Sequence, residues 1–388
     1  MTAGDPNAQP TIRIVVVDDH EMVLDAVVRN LSRQPDMTVA AAAATIADAL
    51  AAVERLAPDI VVLDYQLPDG DGASAAKQIV TTWPTIRVVM LTGSNDDAAI
   101  FEAARSGCAG YVDKTSAPEE LVRVIRSVHQ GSTELPARLL ERLPSAANLV
   151  VHYQPIVDLT SRQIMGFEAL VRWVHPNRGL ILPGDFIPLA ERTDRIIDID
   201  QYVRTEACLQ ANDWNRRFPS NPIRFVSVNL SGRELQLPDF THRIEHTLAQ
   251  TNLAPTALII EVTETYLVQD DPSAARGLAE LSRLGVRTAL DDFGTGYSSL
   301  AYLRRFPIDI IKLDKSFTEE LPHGARALTL LDALGRLATD LGAATEAEGI
   351  ETSEQAECLV SLGWQLGQGY YFGRPLDSSA TDGLLASE

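Results

Sequence analysis

The chain has 388 residues, 45% of them apolar and 22% charged, and a formal net charge of −20. The length calls for two or three domains, and the composition is that of an ordinary globular protein. The acidic balance excludes a general electrostatic grip on a nucleic acid polymer or an anionic membrane, but not a small phosphate ligand held through metal ions.

Cys108, Cys208 and Cys358 are far apart and odd in number, which gives neither a disulfide framework nor a metal-ligand spacing and fits a reducing cytoplasm. The start, Met1 to Pro10, is polar, and the alanine-rich run Val39 to Val53 is interrupted by Thr45 and Asp48. That run is too short to span a bilayer, so no membrane insertion is expected. His242 and His246 share a helical face without a third ligand and read as a surface helix.

From residue 11 to 130, apolar strand-like runs alternate with amphipathic helical patterns. The strands are Arg13 to Asp19, Thr38 to Ala43, Ile60 to Tyr65, Arg87 to Thr92 and Ala109 to Lys114. Helices are expected over Glu21 to Gln34 and Pro118 to Gln130, the latter with proline in its first turn. Continuous apolar strands of this kind belong in a parallel sheet covered on both faces. Asp18, Asp19, Asp64, Thr92 and Lys114 all fall at strand C-terminal ends, the edge where such sheets bind ligands. Three carboxylates meeting there call for a divalent cation.

These residues resemble the receiver domain of two-component response regulators, through Asp18-Asp19, Asp64 followed by Leu67-Pro68-Asp69-Gly70, Thr92, and Tyr111 ahead of Lys114. The resemblance implies a flavodoxin-like (βα)5 domain. It also implies that Asp64 accepts a phosphoryl group from a sensor histidine kinase. Mg2+ would be bound by Asp19, Asp64 and, through water, Asp18, with Thr92 and Tyr111 as the switch pair and Lys114 beside them.

Residues 131–148 read as a semi-rigid linker, with Pro136 and Pro144 bracketing a short helical piece from Ala137 to Leu143. From 149 to 388 the alternation resumes with about eight strand-like runs, the rhythm of a (β/α)8 barrel. They are Val150 to Leu159, Gln163 to Trp173, Arg224 to Ser231, Ala257 to Glu264, Val286 to Phe293, Ile308 to Lys315, Ala343 to Ile350 and Trp364 to Phe372. Only Thr160 to Arg162 joins the first two. That is too short for a parallel crossover, so one antiparallel strand is expected. Glu168, Asn229, Glu261, Asp291 and Asp292 lie on or at the ends of successive strands, with Lys312 and Asp314 two apart on one strand and Glu348 on another. Carboxylates and an asparagine are hard oxygen ligands, and this many of them suggests two metal ions clamping a phosphoryl displacement. Lys312 would sit beside the attacking water.

The quoted residues, with Tyr153-Gln154-Pro155-Ile156, Glu168-Ala169-Leu170, Val228-Asn229-Leu230-Ser231, Glu261-Val262-Thr263-Glu264, Asp291 to Ser299, Ile311 to Asp314, Ala347 to Thr352 and Gln368-Gly369-Tyr370, resemble the EAL domain family of cyclic di-GMP phosphodiesterases. The resemblance implies a TIM barrel with one antiparallel strand that opens cyclic di-GMP to linear pGpG with two Mg2+ or Mn2+ ions. Glu168, Asn229, Glu261 and Asp291 would bind one ion, with Asp291 shared and Asp292 serving the second; Lys312 would contact the water. Glu348 would act either as general base or as a water-mediated ligand. Arg172 would face a phosphate, Gln154, Asp314, Glu351 and Gln368 would orient substrate or water, and Glu264 would brace the Asp291 to Ser299 loop. Glu346 departs from the usual small or apolar residue; it either biases Glu348 toward its protonated form or sits lower in the barrel paired with a base.

The reading is a response regulator whose cyclic di-GMP hydrolysis responds to phosphorylation of Asp64, acting as a homo-oligomer. The alternatives are a silent cyclic di-GMP sensor and a phosphorylation-dependent interaction protein.

Overall fold

A computed structural model describes residues 11–93, 102, 105–134, 143–264, 272–294 and 306–387. The described residues group into two compact units, one running up to Leu143 and including Asp185–Thr193, the other comprising Pro144–Gly184 and the residues from Asp194 on.

In the first unit, strands β1 (Ile12–Val17), β2 (Met37–Ala43), β3 (Ile60–Asp64), β6 (Arg87–Thr92) and β7 (Gly110–Asp113) pair in the order β2-β1-β3-β6-β7, all parallel. That is the flavodoxin-like order, whose ligand edge lies at the C-terminal ends of β1 and β3. A two-residue hairpin, β4 (Gln66–Leu67) with β5 (Gly70–Asp71), follows β3. Every residue of β3 is buried, as expected of a strand with helices on both faces. Helices Glu21–Ser32, Ile46–Leu56, Gly72–Thr82 and Pro118–His129 flank the sheet. Thr45 caps the second by accepting from the Asp48 N–H, and Asp71 caps the third through Ser74. Each cap satisfies a backbone donor that the first helical turn leaves open. The unit extends past its last helix: the Glu134 carbonyl accepts from the Tyr111 N–H of β7, its N–H donates to the Ala109 carbonyl just before that strand, and its carboxylate accepts from Ser127 Oγ at 2.6 Å. Most of the short helix read over Ala137 to Leu143 lies outside the described residues.

The second unit is a closed barrel of eight strands. These are β8 (Leu149–Asp158), β9 (Ile164–His175), β11 (Phe225–Asn229), β12 (Leu258–Thr263), β13 (Arg287–Phe293), β14 (Ile310–Leu313), β15 (Ala344–Ala347) and β16 (Leu366–Gln368). Strand β8 is antiparallel to both neighbours, β9 and β16, and closes the barrel. The turn that permits this is built from Asp158, whose carboxylate accepts the N–H groups of Thr160 and Ser161, and from Arg162 in the left-handed region at φ 65°. An added short strand, β10 (Gly179–Ile181), pairs with the far end of β9.

The strands are shorter than the sequence runs. The last ends at Gln368 rather than Phe372, because Gly369 passes so close to the backbone of Ile350 that a Cβ would meet it at 2.1 Å. The base of the barrel is filled by Ile156, Phe225, Ile259, Ala289, Ile310 and Leu366. Gly166 leaves the space that the Phe225 ring occupies; a Cβ there would lie 2.6 Å from it. Outside, Trp214 on helix Arg195–Arg217 is fully buried, its ring 4.8 Å from Tyr153 and 4.9 Å from Phe167.

Candidate active site

The apolar base positions the site, because side chains two apart on a strand share a face. One step from Phe225, Ile259, Ala289, Ile310 and Leu366 toward the strand C-termini come Ser227, Glu261, Asp291, Lys312 and Gln368. On antiparallel β8 the step runs the other way, from Ile156 to Gln154. Strand β9 adds Glu168, in register with Gln154 on one side and Ser227 on the other. A polar layer therefore rests on an apolar floor, at the end of the barrel where this fold places its chemistry.

The layer is tightly bonded. Asn229 Nδ2 donates to Glu168 Oε1 at 2.9 Å. Gln368 Nε2 donates to Glu168 Oε2 at 2.6 Å and to Gln154 Oε1 at 3.0 Å. Lys312, fully buried, stands 2.7 Å from Glu261 Oε2, 2.7 Å from Glu348 Oε1 and 3.4 Å from Asp291 Oδ1.

Adjacent residues on a regular strand point to opposite faces, so Asp291 and Asp292 need a special backbone to serve one site. The pairing of β13 with β14 supplies it. Leu290 faces Ile311 and Phe293 faces Leu313, so two residues, Asp291 and Asp292, stand against one. This is a β-bulge, which re-aims side chains locally. Asp292 takes up the irregularity at φ 55°, and Gly294 follows at φ 96° with its Cα against the Phe317 ring. The Gly294 N–H donates to Glu264 Oε2 at 3.4 Å. Thr295 to Ser299 of this loop lie outside the described residues.

The layer holds more negative charge than one lysine balances. Burial, then Glu168 and Asp291, hold the Glu261 carboxyl well above its usual range against the pull of Lys312. Glu348 is pushed up to about 8 by burial, with Asp291 and Glu168 adding to the push. Loss of solvent and the neighbouring Asp291 and Asp314 raise Asp292. Burial works against the Lys312 charge, yet Asp291, Glu168, Glu261 and Glu348 outweigh it and hold the ammonium well above its normal range. Oxygen donors carrying surplus negative charge fit hard divalent cations. Among the described residues no three barrel carboxylates bring ligand atoms within 4.8 Å of one another; Asn229, Gln368 and Lys312 engage them instead. The residues that would hold ions are Glu168, Asn229, Glu261, Asp291 and Asp292.

Other expected residues fall differently. Asp314 is not on a strand: β14 ends at Leu313, and Asp314 caps helix Lys315–Thr318 by accepting from the Ser316 N–H at 3.0 Å. Glu348 sits one residue beyond β15, where its carbonyl accepts from Thr318 Oγ1 at 2.7 Å. Arg172 is buried and spends one N–H on the carbonyl of Val171 at 2.8 Å; burial lowers its pKa. Glu351 is exposed, and its backbone N–H donates to Gln355 in the capping box of helix Ser353–Ser361. His242 and His246 lie exposed on helix Phe240–Thr251, as read.

Sequence reasoning passed over a second buried cluster. Arg204 grips Glu234 with both terminal nitrogens at 2.8 and 2.9 Å, both residues being fully buried. Asp200 accepts the Ser231 N–H at 3.0 Å, two residues beyond Asn229. The signal for it was three charges on otherwise apolar helix faces.

In the first unit, Asp18 is fully buried and Asp64 nearly so, and Lys114 Nζ lies 2.7 Å from a carboxylate oxygen of each. Burial raises the Asp64 pKa while Lys114 opposes the rise. Burial also works against the Lys114 charge, but the two carboxylates outweigh it. Asp18, Asp19, His20 and Asp64 bring potential ligand atoms within 4.8 Å of one another, a donor set that fits a divalent ion. His20, whose Nδ1 is 2.7 Å from Asp19 Oδ1, was not foreseen. Asp64, Thr92 and Lys114 line an open cleft of about 430 Å³. Gly72 packs so tightly on the Asp64 backbone that a Cβ would lie 2.1 Å from the Asp64 carbonyl oxygen. Thr92 and Tyr111 are both buried.

Residues 137–375 match the EAL domain family, and residues 14–126 match the response regulator receiver domain. The chain is similar to the bifunctional diguanylate cyclase/cyclic di-GMP phosphodiesterase MucR of Pseudomonas aeruginosa, with 34% identity over 98% of this chain and 51% of that protein. It is also similar to the uncharacterized protein y4lL of Sinorhizobium fredii, with 39% identity over 62% of this chain and 28% of that one. The chain thus spans about a quarter to a half of the length of these relatives. A solved structure described as the PaMucR phosphodiesterase in complex with c-di-GMP is 37% identical, with a TM-score of 0.58 over 68% of this chain and 99% of that one. The EAL domain of Mycobacterium smegmatis DcpA is 28% identical, with a TM-score of 0.52 over 63% of this chain and 98% of that one.

Proposed function

The chain belongs to the EAL domain family and carries a receiver domain ahead of the EAL domain, and from that premise we propose that it is a response regulator that hydrolyses cyclic di-GMP to linear pGpG. The observation that carries this reading is the layer of Glu168, Asn229, Glu261 and Asp291 around the fully buried Lys312, with Asp292 brought to the same end by a bulge and Glu348 bonded to Lys312.

Two divalent ions held by these residues would supply positive charge to a phosphodiester and acidify bound water. The chain's own groups do the rest. Water adds to phosphorus, one P–O3′ bond breaks, and the 3′ oxygen leaves with a proton. Glu348, pushed up to about 8, has an affinity suited to taking and returning that proton near neutral pH. Lys312 stands beside it and favours developing negative charge. Gln368 holds Glu168 by donating to it and is itself bonded to Gln154. Arg172, Asp314 and Glu351 orient substrate from around the site, and Glu264 braces Gly294.

Asp64 accepts a phosphoryl group from a sensor kinase in the cleft shared with Asp18, Asp19, Lys114 and a divalent ion, and Thr92 and Tyr111 report it. Residues 11–130 are the receiver domain, 131–148 the linker and 149–388 the phosphodiesterase domain of a cytoplasmic homo-oligomer. The test is incubation with cyclic di-GMP and Mg2+ or Mn2+, with and without a small-molecule phosphodonor. Formation of pGpG that Glu168→Ala abolishes is expected, at a rate the phosphodonor changes in wild type but not in Asp64→Asn. Binding without product would refute the enzymatic reading in favour of a sensor, and an identical phosphodonor response in Asp64→Asn would refute the regulatory one.

A further inference from the structure

One buried carboxylate in the barrel has no part in the scheme above. Glu346 is 2% exposed, and its Oε1 has no hydrogen-bond partner among the described residues. It sits on β15 directly in register with Lys312 on β14, two residues below Glu348. Yet Lys312 makes its close ion pairs with Glu261, Glu348 and Asp291, not with Glu346. A buried acid left without a partner beside a buried base is a costly arrangement, so it calls for a state in which the two are matched.

Metal loading is such a state. Glu261 and Asp291 are both oxygen donors for the ions in the proposed function, on which this inference rests. A carboxylate turned toward a divalent ion no longer serves Lys312 in full, and the ammonium, with no exposure to solvent, has no water to replace it. We propose that Glu346 is a positioning residue for the metal centre, the counter-charge that keeps Lys312 compensated and in place when Glu261 and Asp291 turn to divalent cations. In the metal-free barrel burial disfavours the charge of the same carboxylate, Lys312 attracts it without pairing closely, and Glu168 and Asp291 repel it. Glu346 therefore has opposite effects in the two states: it burdens the empty barrel and favours the loaded one. A purely structural residue would stabilise both.

The test is Mn2+ uptake by the full chain, followed by calorimetric titration in wild type, Glu346→Gln, Glu346→Ala and Glu168→Ala. Uptake that Glu168→Ala removes belongs to the barrel, which separates it from the receiver cleft. Both Glu346 variants are expected to weaken that component about 10–100-fold, the usual effect of losing a supporting group behind metal ligands. Their metal-free thermal midpoints should be unchanged or higher. If Glu346→Ala does not fold, the isosteric Glu346→Gln decides alone. A barrel Kd within about twofold of wild type in Glu346→Gln, well short of that range, overturns the inference. A lowered metal-free midpoint with unchanged Kd overturns it too, by assigning Glu346 a structural role. If wild type has no Glu168-dependent uptake at all, the functional reading beneath falls, and this inference with it.

Discussion

The most exacting structural prediction concerns Arg204. Its guanidinium and the Glu234 carboxylate form a two-pronged ion pair at 2.8 and 2.9 Å, with relative exposures of 1% and 0%. Replacing Arg204 by Met keeps most of the volume and removes the charge. Glu234 is then left with Arg243, whose Nε is 3.3 Å away on a partly exposed side chain. Breaking a fully buried pair from one side costs about 3–5 kcal/mol, and the residual Arg243 contact places the expected loss near the lower end, about 3 kcal/mol. Replacing both partners, in Arg204→Met with Glu234→Leu, leaves no stranded charge and should cost less than Arg204→Met alone. Urea unfolding followed by tryptophan fluorescence measures this. In a Trp83→Phe background the signal comes from Trp173, Trp214 and Trp364, all in the barrel sequence. A loss below about 1 kcal/mol for Arg204→Met, the range of an exposed pair, would refute the buried pairing. A double variant less stable than the single one would refute the reasoning about stranded charge.

Two further outcomes follow from neighbouring features. Asp200 is pushed up to about 8 by burial and by Glu234, from an ordinary 3.8. The folded state therefore binds more protons than the unfolded one between those values, and stability contributed by the neutral form is lost as pH rises through that window. Asp200→Asn should flatten this loss, so its urea midpoint relative to wild type should be higher at pH 8.5 than at pH 5; the opposite trend would contradict a buried neutral Asp200. Gly294→Ala places a Cβ at φ 96° and 2.7 Å from the Phe317 ring, at a cost of about 1–3 kcal/mol in backbone strain alone. If the loop relaxes to relieve it, Asp292 moves. A thermal midpoint equal to wild type would show that the loop does not adopt this backbone.

Much of the site was legible because its signal is local. Phe225-x-Ser227-x-Asn229, Ile259-x-Glu261, Ala289-x-Asp291 and Ile310-x-Lys312 each alternate an apolar floor residue with a polar one, and strand periodicity alone puts them on one face. One antiparallel strand at the start of the barrel was legible because Thr160 to Arg162 is too short to cross over; the pairing with β9 and β16 identifies it as β8. Where that local rule was extended past a strand end, it failed. Asp314 was read two residues along from Lys312 on the same strand, but the chain leaves β14 at Leu313 and Asp314 caps a helix. The same overextension carried the last strand to Phe372.

What the sequence by itself determined, then, was which polar residues alternate with apolar ones on the barrel strands and which strand faces they occupy, because burial and two-residue periodicity are properties of a single strand. Only the tertiary structure decided how those strands stand against one another. The bulge that sets Asp291 and Asp292 against one residue of β14, the register that puts Glu346 beside Lys312, the pairing of Arg204 with Glu234, and the approach of His20 to Asp19 depend on contacts between elements distant in the chain or on local backbone angles that packing imposes. A buried charge is compensated by whatever the fold brings to it, and spacing along one chain does not reveal that partner.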